Sequence, residues 1–146
     1  MYLGIEIQGG RCCIVQFDEQ SHDVLIPKVK HEIDKNDDSI SSIIEFQSNI
    51  QMFFQDEKTN LVCLCEAGAG ADKKRIRMEL CVLIAAEKCG IPYKTTPTNI
   101  ASRYINSGFV KDYSQKFDNW FASKDLAKKY EKVLAILMRW SKACKK

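Results

Sequence analysis

The chain has 146 residues, 28% of them charged and 45% apolar, with a formal net charge of +3. That balance belongs to one ordinary globular domain, residues 1–146, and excludes a disordered, collagenous or disulfide-scaffold protein. The longest apolar run, Leu80 to Ala86, falls far short of the ~20 residues that span a bilayer, and the N-terminus lacks a secretory pattern, so the expected location is the cytoplasm.

The opening reads as a hairpin. Leu3, Ile5 and Ile7 alternate with Tyr2, Gly4 and Glu6, and Gly9-Gly10 then turns the chain into a second strand over 12–17. A third strand is expected over 24–29, at an edge or bulged, because Pro27 cannot donate to a ladder. From Asp37-Asp38-Ser39 the period becomes helical. Ile40, Ile43, Ile44, Phe46, Ile50, Phe53 and Phe54 follow good N-cap residues and predict a helix over 39–55. Leu61-Val62-Cys63-Leu64-Cys65 is a continuous apolar run ending in Glu66, the pattern of a central parallel strand covered on both faces. A glycine-rich loop over 67–71 leads to a helix over 72–89, apolar round most of its circumference from Met78 to Ala86.

After Gly90 a brief strand is expected over 91–94. Thr96-Pro97 then predicts a helix start, threonine as N-cap and proline at the first helical position, running to Ile105. A polar stretch over 106–115 leads through Phe117, Trp120 and Phe121 to a last helix over 123–143, with Tyr130, Val133, Leu134, Leu137 and Trp140 on one face. The order βββαβαβαα implies an α/β domain with a mixed central sheet and helices on both faces.

Charge is unevenly spread. Residues 1–60 carry 5 basic and 11 acidic side chains, net −6; residues 61–100 are net +2; and residues 101–146 carry 11 basic and 4 acidic, net +7. A basic C-terminal end attracts phosphate backbones, although solvated lysines on a helix face produce the same count. The 7 cysteines lie mostly in apolar segments, where a free thiol behaves as a small hydrophobe, which fits a reducing compartment. No CxxC occurs and the only histidines are His22 and His31, so the ligand spacing of a zinc site is missing and no zinc is expected.

Three acids stand on structured elements: Glu6 in the first strand, Glu66 at the end of a buried one, and Glu131 in a helical stripe with Leu134, Ala135 and Met138. A carboxylate on an apolar element needs a cation or hydrogen bonds to offset its desolvation. Glu66 sits where open α/β sheets place ligands, and with Glu6 and Glu131 it could hold Mg²⁺ or Mn²⁺, activating water for phosphodiester hydrolysis. Taken singly, each acid also reads as a salt-bridged or rim carboxylate. Glu79 on the second helix reads as a partner for Arg75, or as a contact that orients the metal ligands.

The loop Gly68-Ala69-Gly70-Ala71-Asp72-Lys73-Lys74-Arg75 lacks a third glycine and is not in the first βα unit, so no nucleotide cofactor is expected there. It reads instead as a basic helix start, with Lys73 and Lys74 touching nucleic-acid phosphate. Lys128 and Lys132 on the last helix are candidates for the same role. Tyr104, Tyr113, Phe117, Trp120 and Phe121 interleave with Lys111 and Lys116 and could stack bases, although helical spacing makes satellite core the commoner outcome. No Ser or Cys occupies a nucleophile elbow.

Element order and acids together resemble the RNase H-like superfamily, in particular its RuvC-type resolvase branch. The carriers are Gly4-Ile5-Glu6 before a Gly-Gly turn, Cys63-Leu64-Cys65-Glu66, Ile91-Pro92-Tyr93 followed by Thr96-Pro97, and Tyr130-Glu131. The sequence is similar still more closely to a small bacterial RuvC-like domain family of unknown function, through the early glycine-to-glutamate motif and Met78-Glu79. The superfamily's nucleases usually carry aspartate where Glu6 stands, and RuvC-type enzymes end with two acids one helical turn apart, whereas Lys128 lies three before Glu131. The resemblance implies a Mg²⁺- or Mn²⁺-dependent nuclease or resolvase-like phosphodiesterase with Glu6, Glu66 and Glu131 as catalytic metal ligands, nucleic acid as partner, and a homodimer. The alternative is an RNase H-like module without catalysis that binds nucleic acid or a protein partner.

Overall fold

A computed structural model describes residues 1–21, 23–106, 130–137 and 139–140. Strand β1 (Tyr2–Gln8) follows the expected alternation: Leu3, Ile5 and Ile7 are fully buried on one face, and Tyr2, Gly4 and Glu6 turn to the other. Gly9 and Gly10 adopt φ of 55° and 81°, the left-handed pair that a tight hairpin requires. The chain returns as β2 (Arg11–Phe17), antiparallel to β1, with Glu6 opposite Cys13.

The single edge strand expected over 24–29 is instead two short ones. Strand β3 (Val24–Leu25) pairs with Phe17 and Gln16, and β4 (His31–Glu32) pairs with Cys12 and Arg11. Between them Pro27 has no N–H to give, and the chain over 26–30 stands off β2 until β4 rejoins it; just beyond, Ile33 N–H donates to the Gly10 carbonyl in the hairpin turn at 2.8 Å.

Helix α1 (Ile40–Asp56) is capped by Ser39, whose hydroxyl accepts from the Ser42 N–H. Strand β5 (Leu61–Glu66) runs parallel to β1, with Glu6 in register with Cys65. Helix α2 (Lys73–Lys88) starts on Asp72, which accepts from the Arg75 N–H at 2.8 Å. Strand β6 (Tyr93–Pro97) lies parallel to β5 at the sheet's other edge, and helix α3 (Thr98–Asn106) follows. The helix start expected at Thr96-Pro97 therefore comes later: Thr96 and Pro97 extend the ladder opposite Cys65 and Glu66, because an edge strand tolerates a proline at its end. A last helix, α4, contains residues 130–137 and 139–140; Lys128, Phe117, Trp120, Phe121, Tyr113, Lys111 and Lys116 lie outside the described residues.

The result is an α/β domain with a six-stranded mixed sheet in the order β3-β2-β1-β5-β6, β4 also pairing with β2. On one face Leu3, Ile5, Ile7, Val62 and Leu64 pack against Phe46, Ile50 and Phe54 of α1 and Met78, Val82 and Ala85 of α2. On the other, Val15, Phe17, Cys63 and Cys65 pack against Ala101 of α3 and Val133, Leu134 and Leu137 of α4. Gly4 sets how closely α4 approaches: a Cβ there would lie 2.7 Å from Val133 Cγ1 and 3.0 Å from the Val133 carbonyl oxygen. Among the described residues no helix is long and apolar enough to cross a membrane.

Candidate functional site

Because its neighbours Ile5 and Ile7 point to α1 and α2, Glu6 is turned to the α4 side of the sheet, where it is only 4% exposed. Its carboxylate is not left bare. The Gln8 side-chain amide donates to Glu6 Oε1, and the Cys65 thiol, in register on β5, hydrogen-bonds the same carboxylate. Burial, and then the Glu6 charge, push the Cys65 thiol up to about 12, so it stays a neutral donor; Thr98 Oγ1 at 3.8 Å and the positive charge of Lys132 on α4 pull the other way. Glu6, Cys65, Thr98 and Lys132 thus form one neighbourhood built by β1, β5, α3 and α4.

The last helix crosses this face obliquely. Tyr130 stands beside Cys12 and Cys13 of β2 and shares a pocket of about 170 Å³ with them and with Arg11 and His31. Burial raises the Tyr130 phenol, and the two cysteines add to the shift. Val133 and Leu137 lie over Gly4, and Trp140 reaches β6, where its Nε1 donates to Thr96 Oγ1 at 3.2 Å and Lys94 Nζ sits 5.3 Å from its ring centroid. An antiparallel hairpin, two parallel strands added beside β1, helices on both faces and a closing helix over an acid in β1 make an arrangement found among solved structures. Thermus thermophilus RuvC matches over 72% of this chain and 68% of its own, with a TM-score of 0.55 and 11% identity. T. thermophilus RuvC in complex with Holliday junction substrate matches over 94% of this chain and 90% of its own, with a TM-score of 0.61 and 11% identity. The chain has a RuvC-type, RNase H-like fold. No family model and no curated protein matches the sequence, so the comparisons support the fold and not the similarity to a small bacterial family.

Within the RuvC-type fold the predicted acids are not gathered. Glu66 follows Cys65 by one residue, so strand alternation turns it away from Glu6; it is exposed, and its carbonyl accepts from Thr98 Oγ1 at 2.9 Å. Glu131 is half-buried on α4, about 100° round the helix from Lys132. Among the described residues no three His, Cys, Asp or Glu side chains come together as ligands for a metal ion. The groups that hydrogen-bond Glu6 are an amide and a thiol, whereas Mg²⁺ and Mn²⁺ take hard oxygen donors. These residues do not fit the two-ion centre that the resemblance implies.

Glu79 is buried, and its two carboxylate oxygens accept from the Ala67 N–H at 3.2 and 3.1 Å while Arg75 Nε donates at 3.0 Å. It ties the end of β5 to α2 at the start of the glycine loop. Lys74 Nζ donates to the Asp34 and Lys35 carbonyls at 2.7 and 3.1 Å and lies 3.8 Å from Asp38, anchoring the 34–38 loop to α2. Lys73 is exposed at the helix start. Tyr104 packs into the α4-side core with the Arg139 guanidinium 5.7 Å from its ring centroid.

Sequence reasoning missed Cys65, which was read only as a small hydrophobe. The single signal was phase: Cys65 and Glu66 cannot share a face of one strand, and only the β1–β5 register says which of them meets Glu6.

Proposed function

We propose that this chain is a RuvC-fold module that binds nucleic acid and does not cut it. The observation that carries the non-cutting half is the register of β1 and β5, which sets a neutral thiol rather than a second carboxylate beside Glu6. Phosphodiester hydrolysis by two metal ions needs several oxygen ligands converging on one point, and here the buried acid is held by Gln8 and Cys65. In this reading Glu6 is a structural carboxylate that fixes where α4 sits.

Support for binding comes from the RuvC structure determined with Holliday junction substrate and from the net +7 charge of residues 101–146. Lys73, Lys128 and Lys132 are the proposed phosphate contacts. Lys74 contributes indirectly, by holding the 34–38 loop. Such contacts release counterions, so each phosphate neutralised adds about 0.7–0.9 to the slope of log affinity against log salt.

The test incubates wild type and Glu6→Gln with labelled junction, hybrid, duplex and single-stranded substrates in Mg²⁺ or Mn²⁺ and scores both gel retardation and cleavage. Retardation that weakens steeply with salt, with no cleavage by either protein, is expected. Cleavage by wild type that Glu6→Gln abolishes would replace this reading with metal-dependent phosphodiester hydrolysis. No retardation at low salt would remove the nucleic-acid half and leave a protein partner as the ligand class.

A further inference from the structure

A second surface lies at the β6 edge of the sheet, where α4 meets β6 and α3. Trp140 is half-buried there, with its ring packed on the α4-side core and its Nε1 donating to the buried Thr96 Oγ1 at 3.2 Å. That bond ties the polar end of the indole to the strand, so the ring is held in one orientation. One residue earlier in the helix, Arg139 turns to α3 and places its guanidinium 5.7 Å from the ring centroid of Tyr104, which is also half-buried against the core. On β6, Lys94 Nζ stands 5.3 Å from the Trp140 ring centroid. Cation–π pairs occur about once per 70–80 residues in folded proteins. Two that involve consecutive residues of one helix concentrate aromatic faces and positive charge in one place.

The cations here have no acid to answer them. Lys94, Arg103 and Arg139 are exposed, and none of them forms a salt bridge among the described residues. Residues 90–106, which supply β6 and α3, contain Lys94 and Arg103 and neither Asp nor Glu. Such a surface complements a polyanion. The two rings narrow the class: an acidic peptide would use the charge and leave the ring faces idle, whereas nucleic acid offers phosphates and flat bases together. A duplex keeps its bases stacked inside, so only unpaired bases can reach Trp140. Lys94 does not close the ring, because its ammonium sits on an exposed, flexible four-carbon stem that can move from the ring face to a phosphate beside it.

We propose that the surface of β6, α3 and α4 around Trp140 binds unpaired bases of single-stranded nucleic acid. Trp140 stacks one base, and Lys94 and Arg139 hold the phosphates on either side of it. Resting on the nucleic-acid reading, this assignment gives it a strand class and a location that use neither Glu6 nor Lys73.

Fluorescence anisotropy of the full chain with a labelled oligothymidylate of about 16 nucleotides, and with a labelled duplex of the same length, measures both affinities. Tryptophan emission is followed in parallel with the unlabelled strands. Wild type should bind the single strand more tightly and lose tryptophan emission as it saturates. Trp140→Leu, which keeps an apolar side chain against the core, should weaken the single strand about tenfold, as expected for one stacked base, and leave the duplex within about twofold. Trp140→Phe keeps a ring to stack and should retain most of the affinity while abolishing the emission loss. Should Trp140→Leu not fold, Lys94→Gln with Arg139→Gln changes only exposed side chains and should flatten the slope of log affinity against log salt for the single strand by about 1.4. Tighter binding of duplex by wild type, an equal loss for both strands in Trp140→Leu, an emission loss that survives Trp140→Phe, or an unchanged salt slope would each overturn the stacking surface and leave the nucleic-acid reading standing. No binding of either strand by wild type would overturn both.

Discussion

Gly4→Ala probes the contact that positions α4, and with it Lys132, over the sheet. The added methyl would meet Val133 Cγ1 at 2.7 Å, the Val133 carbonyl oxygen at 3.0 Å and Leu137 Cβ at 3.3 Å. None of these can swing aside: one is backbone, one is a Cβ, and valine in a helix is confined to essentially one rotamer. The helix must rise from the sheet by several tenths of an ångström, in a stretch where Val133, Leu134, Ala135, Ile136 and Leu137 are all buried. Overpacking of this kind costs about 1–3 kcal/mol, and replacing glycine in a strand recovers about 0.5–1 kcal/mol through the unfolded state. A net loss of about 0.5–2 kcal/mol is expected. In urea, where m for a domain this size is about 2 kcal/mol/M, the midpoint should fall by roughly 0.25–1 M with m unchanged. Val133→Ala makes room for the methyl, so the double variant should be more stable than the sum of the singles implies by at least about 0.5 kcal/mol. A Gly4→Ala protein as stable as wild type, or strict additivity with Val133→Ala, would refute the close approach.

Glu79→Gln leaves Arg75 without its counter-charge in a largely buried pair that also carries the Ala67 N–H; a loss of about 2 kcal/mol is expected, seen as a melting temperature lower by about 4–8 °C, and an unchanged melt would contradict the tie between β5 and α2. Asp37 accepts from Ser39 N–H and from the Ser39 and Ser42 hydroxyls at the start of α1, and the Ser42 bond, then Ser39, hold its carboxyl at about 2 against 3.8 in the unfolded chain. The folded value is the lower one, so the contribution is present above pH 3.8 and is lost as pH falls toward 2. Asp37→Asn should therefore flatten stability against pH over that window, and parallel curves for variant and wild type would count against it.

Much of the fold was legible in the sequence because local and global preferences agree. The alternation of Leu3, Ile5 and Ile7, the Gly9-Gly10 turn, the Ser39 and Asp72 caps and the apolar run from Leu61 to Cys65 each have a short-range cause, and each element lies where that cause puts it. Boundaries failed where a distant strand decided. Thr96-Pro97 has the local chemistry of a helix start, but pairing with Cys65 and Glu66 keeps both residues in β6. Pro27 signalled a defective edge strand; that it would split into two, with a cleft between, depended on β2 offering partners at both ends.

The sequence by itself determined that an acid stands in β1, that another ends β5, and that basic charge collects toward the C-terminus. Which side chain meets Glu6 was decided only by tertiary structure. Strand period fixes that Cys65 and Glu66 face opposite ways, but their assignment to α4 or to α2 depends on the β1–β5 register, and one residue of slip exchanges them. The same holds for Gln16: a polar residue in a buried strand is visible in the sequence, while its burial follows from how α1 and the 26–30 segment close around β2.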